Sequence, residues 1–160
     1  MDVGTEDRSV HSGSLLFLQV RTQRCAVRLS HVREVFRPLP LQTVPVAPPF
    51  ILGLSVIRGE PVPVVDLGGV LGYPDEPHPR RFVLIRVGDR SAALAVEGVH
   101  QIVSEAALMR TELPPLLGGA GRDAVETLSA LDQDFVSVLR TGHLVPKEIW
   151  GRLQAGGVPT

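Results

Sequence analysis

Gly53-Leu54-Ser55-Val56-Ile57-Arg58-Gly59-Glu60-Pro61-Val62-Pro63-Val64-Val65-Asp66-Leu67 is the stretch from which the fold is read. A β-branched run meets Arg58-Gly59-Glu60, a turn signal, and a second apolar run closes on Asp66. Two strands joined by so short a turn make a hairpin with an arginine and a glutamate at its tip. The tip has no nucleophile and no metal-ligand spacing, so it points to recognition and not to catalysis. Pro61 and Pro63 stand two residues apart, which puts both missing amide donors on one edge of the strand. That edge is expected to face no partner strand.

Moving outward, positions of the first half recur 67 residues later: Val20 with Val87, Ala26 with Ala93, Val27 with Leu94, Val32 with Val99, Val35 with Ile102. Each copy reads as an apolar strand, a polar turn, a second strand and a Val-x-x-Val/Ile step. Gly88-Asp89 is the stronger of the two turn signals. Asp132-Gln133-Asp134 and the run after it overlay the Arg58-Gly59-Glu60 hairpin at a different offset. The chain is thus expected to be all-β, built of two similar units of about five short strands. Strand periodicity turns Cys25, Val27 and Leu29 to one face, and Ala92, Leu94 and Val96 to another. Both faces should point inward, with Cys25 a small buried hydrophobe.

At 160 residues the length suits one domain, and 44% hydrophobic with 21% charged residues is ordinary for a globular chain. A net charge of −1 leaves no footprint for a phosphate backbone, and 4% aromatic residues leave few platforms for bases. Nucleic acid is therefore not an expected partner. A single cysteine forms no internal disulfide. No run approaches the roughly 18 apolar residues of a membrane span, so a cytoplasmic protein without direct membrane insertion is expected. The five histidines show no metal spacing, and Gly118-Gly119-Ala120-Gly121 lacks the lysine and hydroxyl of a phosphate loop. No cofactor or metal is expected. The 15 arginines beside a single lysine form no run and read as residues of solvated faces.

Helix is scarce. Asp66 is placed to cap a short turn through Leu71, and Pro48-Pro49 to open a turn into Ile51. A C-terminal helix is expected over Val145–Leu153, with Pro146 in its first turn and Ile149, Trp150 and Leu153 packed on the first unit or at the junction of the two. Pro114–Arg122 reads as a mobile loop. Residues 1–13 and 154–160 read as tails, the first disordered, around a domain spanning 14–153.

Gly53–Leu67 resembles the central signature of CheW-like domains, in which a glycine precedes a strand, an Asn-Leu-Arg-Gly turn, and a strand closing on Asp-Leu. Gly53, Arg58, Gly59, Pro63 and Asp66-Leu67 stand in the matching places. Val32-Arg33-Glu34-Val35 looks like the family's Val-x-Glu-Val step, Val44-Pro45-x-x-Pro48 like the linker after it, and Val96-Glu97-Gly98-Val99 like its Val-Asp-x-Val. Three positions depart: Val56 replaces the turn asparagine, Glu97 an aspartate, and Gly68 a commonly basic residue.

The resemblance implies two five-stranded, SH3-like β-barrels sharing an apolar core. It also implies a non-catalytic adaptor that couples the cytoplasmic tips of chemoreceptors to the regulatory domain of a CheA-type histidine kinase, recruited to membrane receptor arrays. Val32, Glu34, Gly53 and Arg58 are the candidate receptor- or kinase-binding residues. In the family pattern the acid matching Glu34 lies in a receptor groove with Val32 beside it. The plainer alternatives are core packing for Val32, a backbone requirement for Gly53, and local pairing of Arg58 with Glu60. At the level of the whole protein, one alternative is a paralogue of a pilus-motility or other two-component pathway that binds kinase without receptor. Another is a dimeric aspartic protease using Asp66, although Leu67 replaces the hydroxyl residue such a loop carries.

Overall fold

The computed structural model describes residues 13–111 and 123–154. The expected loop at 114–122 and most of both tails lie outside the described residues. Eleven strands run in order: β1 (Ser14–Val20), β2 (Gln23–Arg28), β3 (Val32–Phe36), β4 (Ile51–Ile57), β5 (Glu60–Asp66), β6 (Arg81–Val87), β7 (Arg90–Val96), β8 (Gly98–Ser104), β9 (Met109–Thr111), β10 (Val125–Leu131) and β11 (Asp134–Leu139). A single helical turn, Leu67–Val70, follows β5, and a helix spans Lys147–Gln154. Among the described residues no helix is long and apolar enough to cross a membrane.

The strands form a six-stranded sheet, β8-β1-β2-β11-β10-β9, and a five-stranded sheet, β3-β6-β7-β5-β4. The repeat is present: β1 and β2 match β6 and β7, while β4 and β5 match β10 and β11. The copies do not fold side by side, however. β3 leaves its own copy to pair with β6, and β8 crosses back to pair with β1. Parallel ladders then join β2 to β11 and β5 to β7. Each sheet thus contains strands from both sequence halves. The expected pair of small β units sharing one core is observed, with strands exchanged between the sequence halves and the short strand β9 added to the six-stranded sheet. The all-β class stands, with neither ladder closed on itself.

Alternation along the strands separates three apolar layers. Leu16, Leu18, Val20, Cys25 and Val27 of one sheet meet Val83, Ile85, Ala92, Leu94 and Val96 of the other in one core shared by both sheets. The opposite faces bury smaller clusters, Leu15, Phe17, Ala26, Val136 and Val138 on one sheet and Ile57, Val62, Val64, Phe82 and Leu84 on the other. The faces read from sequence are the observed ones. Cys25 is fully buried, and desolvation pushes its thiol pKa up to about 12, so it serves as packing.

The prolines of β5 follow the same logic. Its ladder with β4 includes both, but its pairing with β7 begins only at Val64, beyond Pro61 and Pro63. Their missing donors cost no ladder bond on that side, although β5 is interior to the sheet. Asp66 caps the turn after β5, accepting a hydrogen bond from the Gly69 amide at 3.1 Å. The Ile51 amide donates to the Pro48 carbonyl at 2.9 Å, which makes the expected turn. The C-terminal helix sinks Ile149 into the shared core, with Trp150 and Leu153 packed against it.

Candidate functional site

The β4–β5 turn is built for display. Arg58 has φ +54° and Gly59 φ +81°, the pair of left-handed residues that a tight two-residue hairpin needs. Only Gly59 takes that conformation without steric cost, so Arg58 is held there by the ladders on either side. The Arg58 guanidinium donates to Glu34 Oε2 at 2.7 Å, and the two side chains are 74% and 41% exposed. Glu34 belongs to β3 at the other edge of the sheet from β4. The local Arg58–Glu60 pair considered from sequence is therefore replaced by a pairing across the sheet's face.

The other two candidates stand apart from that pair. Val32, opposite Ile85, is partly buried and packs against the shared core, which favours its packing role. Gly53 has φ +148°, and a Cβ there would stand 2.5 Å from the Gln42 carbonyl oxygen. Gln42 and Leu54 exchange two backbone hydrogen bonds of 2.8 Å at that point. The close approach that requires glycine is thus made by the chain itself. Val56 points outward, 71% exposed, where the family carries asparagine. The segment before β4 is pinned instead by Ser55, whose buried hydroxyl donates to the Pro40 carbonyl at 2.8 Å.

Sequence reasoning missed the most heavily bonded charge among the described residues. Arg21, read as a turn residue of a solvated face, has a side chain only 6% exposed. Its guanidinium grips both Asp66 oxygens, at 3.0 and 2.9 Å, and reaches Glu97 at 3.0 Å and Asp75 at 3.1 Å. The hydrogen bond to Asp66 raises its pKa, burial opposes the rise, and the charges of Asp66 and Glu97 add to it. This knot ties the β1–β2 turn of one sheet to the end of β5 in the other. It also accounts for two departures from the family pattern. Glu97 reaches the arginine, and any Cβ at Gly68 would collide with the Arg21 guanidinium. A basic group is still beside Asp66, but it arrives from a different strand. Arg28 likewise leaves the solvated-face reading, being three-quarters buried between Glu105 and Glu126.

Asp66 itself is 4% exposed, with both oxygens engaged by Arg21 and one also capping the helical turn. This carboxylate is buried and held in a structural ion pair and a cap, so the geometry does not support the protease alternative.

The model of the CheW-like domain family matches residues 14–148. The probable chemotaxis protein CheW of Rhizobium etli is 24% identical over 136 residues, covering 82% of this chain and 88% of that protein. The chemotaxis protein CheW of Rhizobium meliloti is 25% identical over 136 residues, covering 84% and 88%. Among solved structures, the scaffolding protein TtCheW from Thermoanaerobacter tengcongensis superposes with a TM-score of 0.69 at 20% identity, over 81% of this chain and 89% of that one. The chain belongs to the CheW-like domain family.

Proposed function

We propose that this member of the CheW-like family is a cytoplasmic adaptor that holds the tips of chemoreceptors and the regulatory domain of a CheA-type histidine kinase at a fixed relative geometry. The observation that carries the reading is the exposed Arg58–Glu34 pair, set on a sheet that shares its core with a second sheet. A planar guanidinium offers directional, charge-assisted bonds to a partner. Glu34 orients it across the sheet, and Val32 stiffens the strand from which Glu34 projects. Tethering two partners raises their effective concentration for each other. Contacts of this kind bury about 800 Å² per partner when stable, with a few residues dominating the energy.

The experiment is Arg58→Ala. A pair this exposed contributes under about 1 kcal/mol to folding, so the melting temperature stays within a few degrees of wild type. Co-sedimentation with receptor-containing membranes weakens about tenfold or more, as for a residue dominating an interface. Equal binding at equal folding refutes Arg58 as the recognition residue.

The second reading is a paralogue serving a pilus-motility or other two-component pathway, binding kinase without receptor. It is favoured by Val56, which puts an exposed apolar side chain on the strand leading to Arg58 where the family carries a polar one. Retained kinase binding with no receptor binding by the wild-type chain selects it.

A further inference from the structure

Beside the β4–β5 turn a cleft of about 510 Å³ opens, floored by Ile57, Val62 and Leu84 and rimmed by Arg33, Arg58 and Arg86. The floor residues belong to the outer apolar cluster of the five-stranded sheet, so the cleft is the open mouth of that cluster. All three arginines are exposed. Arg58 is paired with Glu34, whereas Arg33 and Arg86 form no ion pair among the described residues. Arg86 donates only to the carbonyl of Gly88, at 3.2 Å. Glu34 already answers Arg58, and Glu60 is the one acid in the cleft wall, so Arg33 and Arg86 are left as its unpaired guanidinium groups.

Through Glu60, Val62 and Ser91 the cleft runs on into a second hollow of about 290 Å³, walled by Asp89 and Arg90, that ends at Trp150 and Leu153. The Arg90 guanidinium lies over the Trp150 ring, 5.2 Å from its centroid. The channel is therefore cationic and apolar-floored at one end and aromatic at the other. A small anion would satisfy the arginines and leave the floor wet. A purely apolar segment would cover the floor and strip water from unpaired guanidinium groups, which is costly. The aliphatic floor offers no ring face on which a base could stack, and one face of the Trp150 ring is already taken by Arg90. An extended or helical peptide carrying carboxylates and an apolar anchor meets every one of these demands.

We propose that this groove binds an acidic segment of a partner protein, its carboxylates on Arg33, Arg58 and Arg86 and an apolar side chain against Trp150 and Leu153. Carboxylates take arginine in bidentate geometry, which gives direction as well as attraction. The proposal rests on the adaptor reading in that Arg58 belongs to both sites. Arg33 and Arg86 belong to this one alone.

The test uses two fluorescein-labelled peptides of equal length, one with a triple-glutamate block followed by a leucine pair, the other with lysines in place of the glutamates. Fluorescence anisotropy against the full chain should show binding of the acidic peptide only, with shifts of the Val62 and Leu84 methyl and Trp150 indole resonances. Arg33→Glu and Arg86→Glu should each weaken binding about tenfold, or ~1.4 kcal/mol. Melting temperatures should be unchanged, and Arg33→Gln and Arg86→Gln should weaken binding less. The proposal is overturned if neither peptide binds, if both bind alike, or if the charge reversals leave binding unaltered. Receptor co-sedimentation is measured in parallel to separate the two ideas. Receptor binding without acidic-peptide binding sinks the groove alone, and the converse sinks the adaptor reading alone.

Discussion

Arg21→Ala is expected to lower stability by about 3–5 kcal/mol, the cost of leaving a buried carboxylate without its counter-ion. For a chain of this size that corresponds to a fall of roughly 6–20 °C in melting temperature, read by circular dichroism. The loss is large because Asp66 is 4% exposed and cannot recover water, and because Asp75 and Glu97 then face it without the charge that holds them together. A second substitution separates this cause from mere loss of packing. Asp66→Asn in the Arg21→Ala background removes the unpaired charge and keeps an oxygen for the Gly69 amide. The double variant should therefore melt well above the single one. A single variant within a degree or two of wild type would show that the knot between the sheets contributes little.

Val27→Asp should abolish folding altogether. Val27 is fully buried, and an aspartate there finds no partner among the side chains of the shared core. The observed core spans both sheets, and each sheet uses strands from both halves, so neither has a core of its own to fall back on. Heteronuclear NMR should show collapse of amide dispersion throughout the chain. Retention of dispersed signals from the five-stranded sheet would mean that the sheets fold independently.

What was legible in the sequence is what short-range physics decides. The hairpin at Arg58-Gly59, the cap at Asp66, the inward faces of β2 and β7 and the stripe of the last helix each depend on residues within a few positions of one another. The exchange of β3 and β8 between sheets does not, because nothing local tells a strand which of two near-identical hairpins to join. The Arg21 knot closes across 45 residues to Asp66 and 76 to Glu97, and Arg58 finds Glu34 across 24 in place of Glu60 two residues away. One signal was available for the knot. A glycine stood where a basic residue is common, beside an aspartate still in place, so another cation had to reach that carboxylate. The rim of the basic groove was illegible for the same reason, since Arg33 and Arg86 meet Arg58 only through strand pairing.

Simultaneous engagement of two partners by one rigid body is the property on which the proposed adaptor role depends most. The direct measurement is co-purification of the wild-type chain with a receptor-tip fragment and the kinase regulatory domain, each alone and then together. Two binary complexes and one ternary complex are expected, with neither partner displacing the other. Mutual displacement, or failure to hold either partner, would contradict that role.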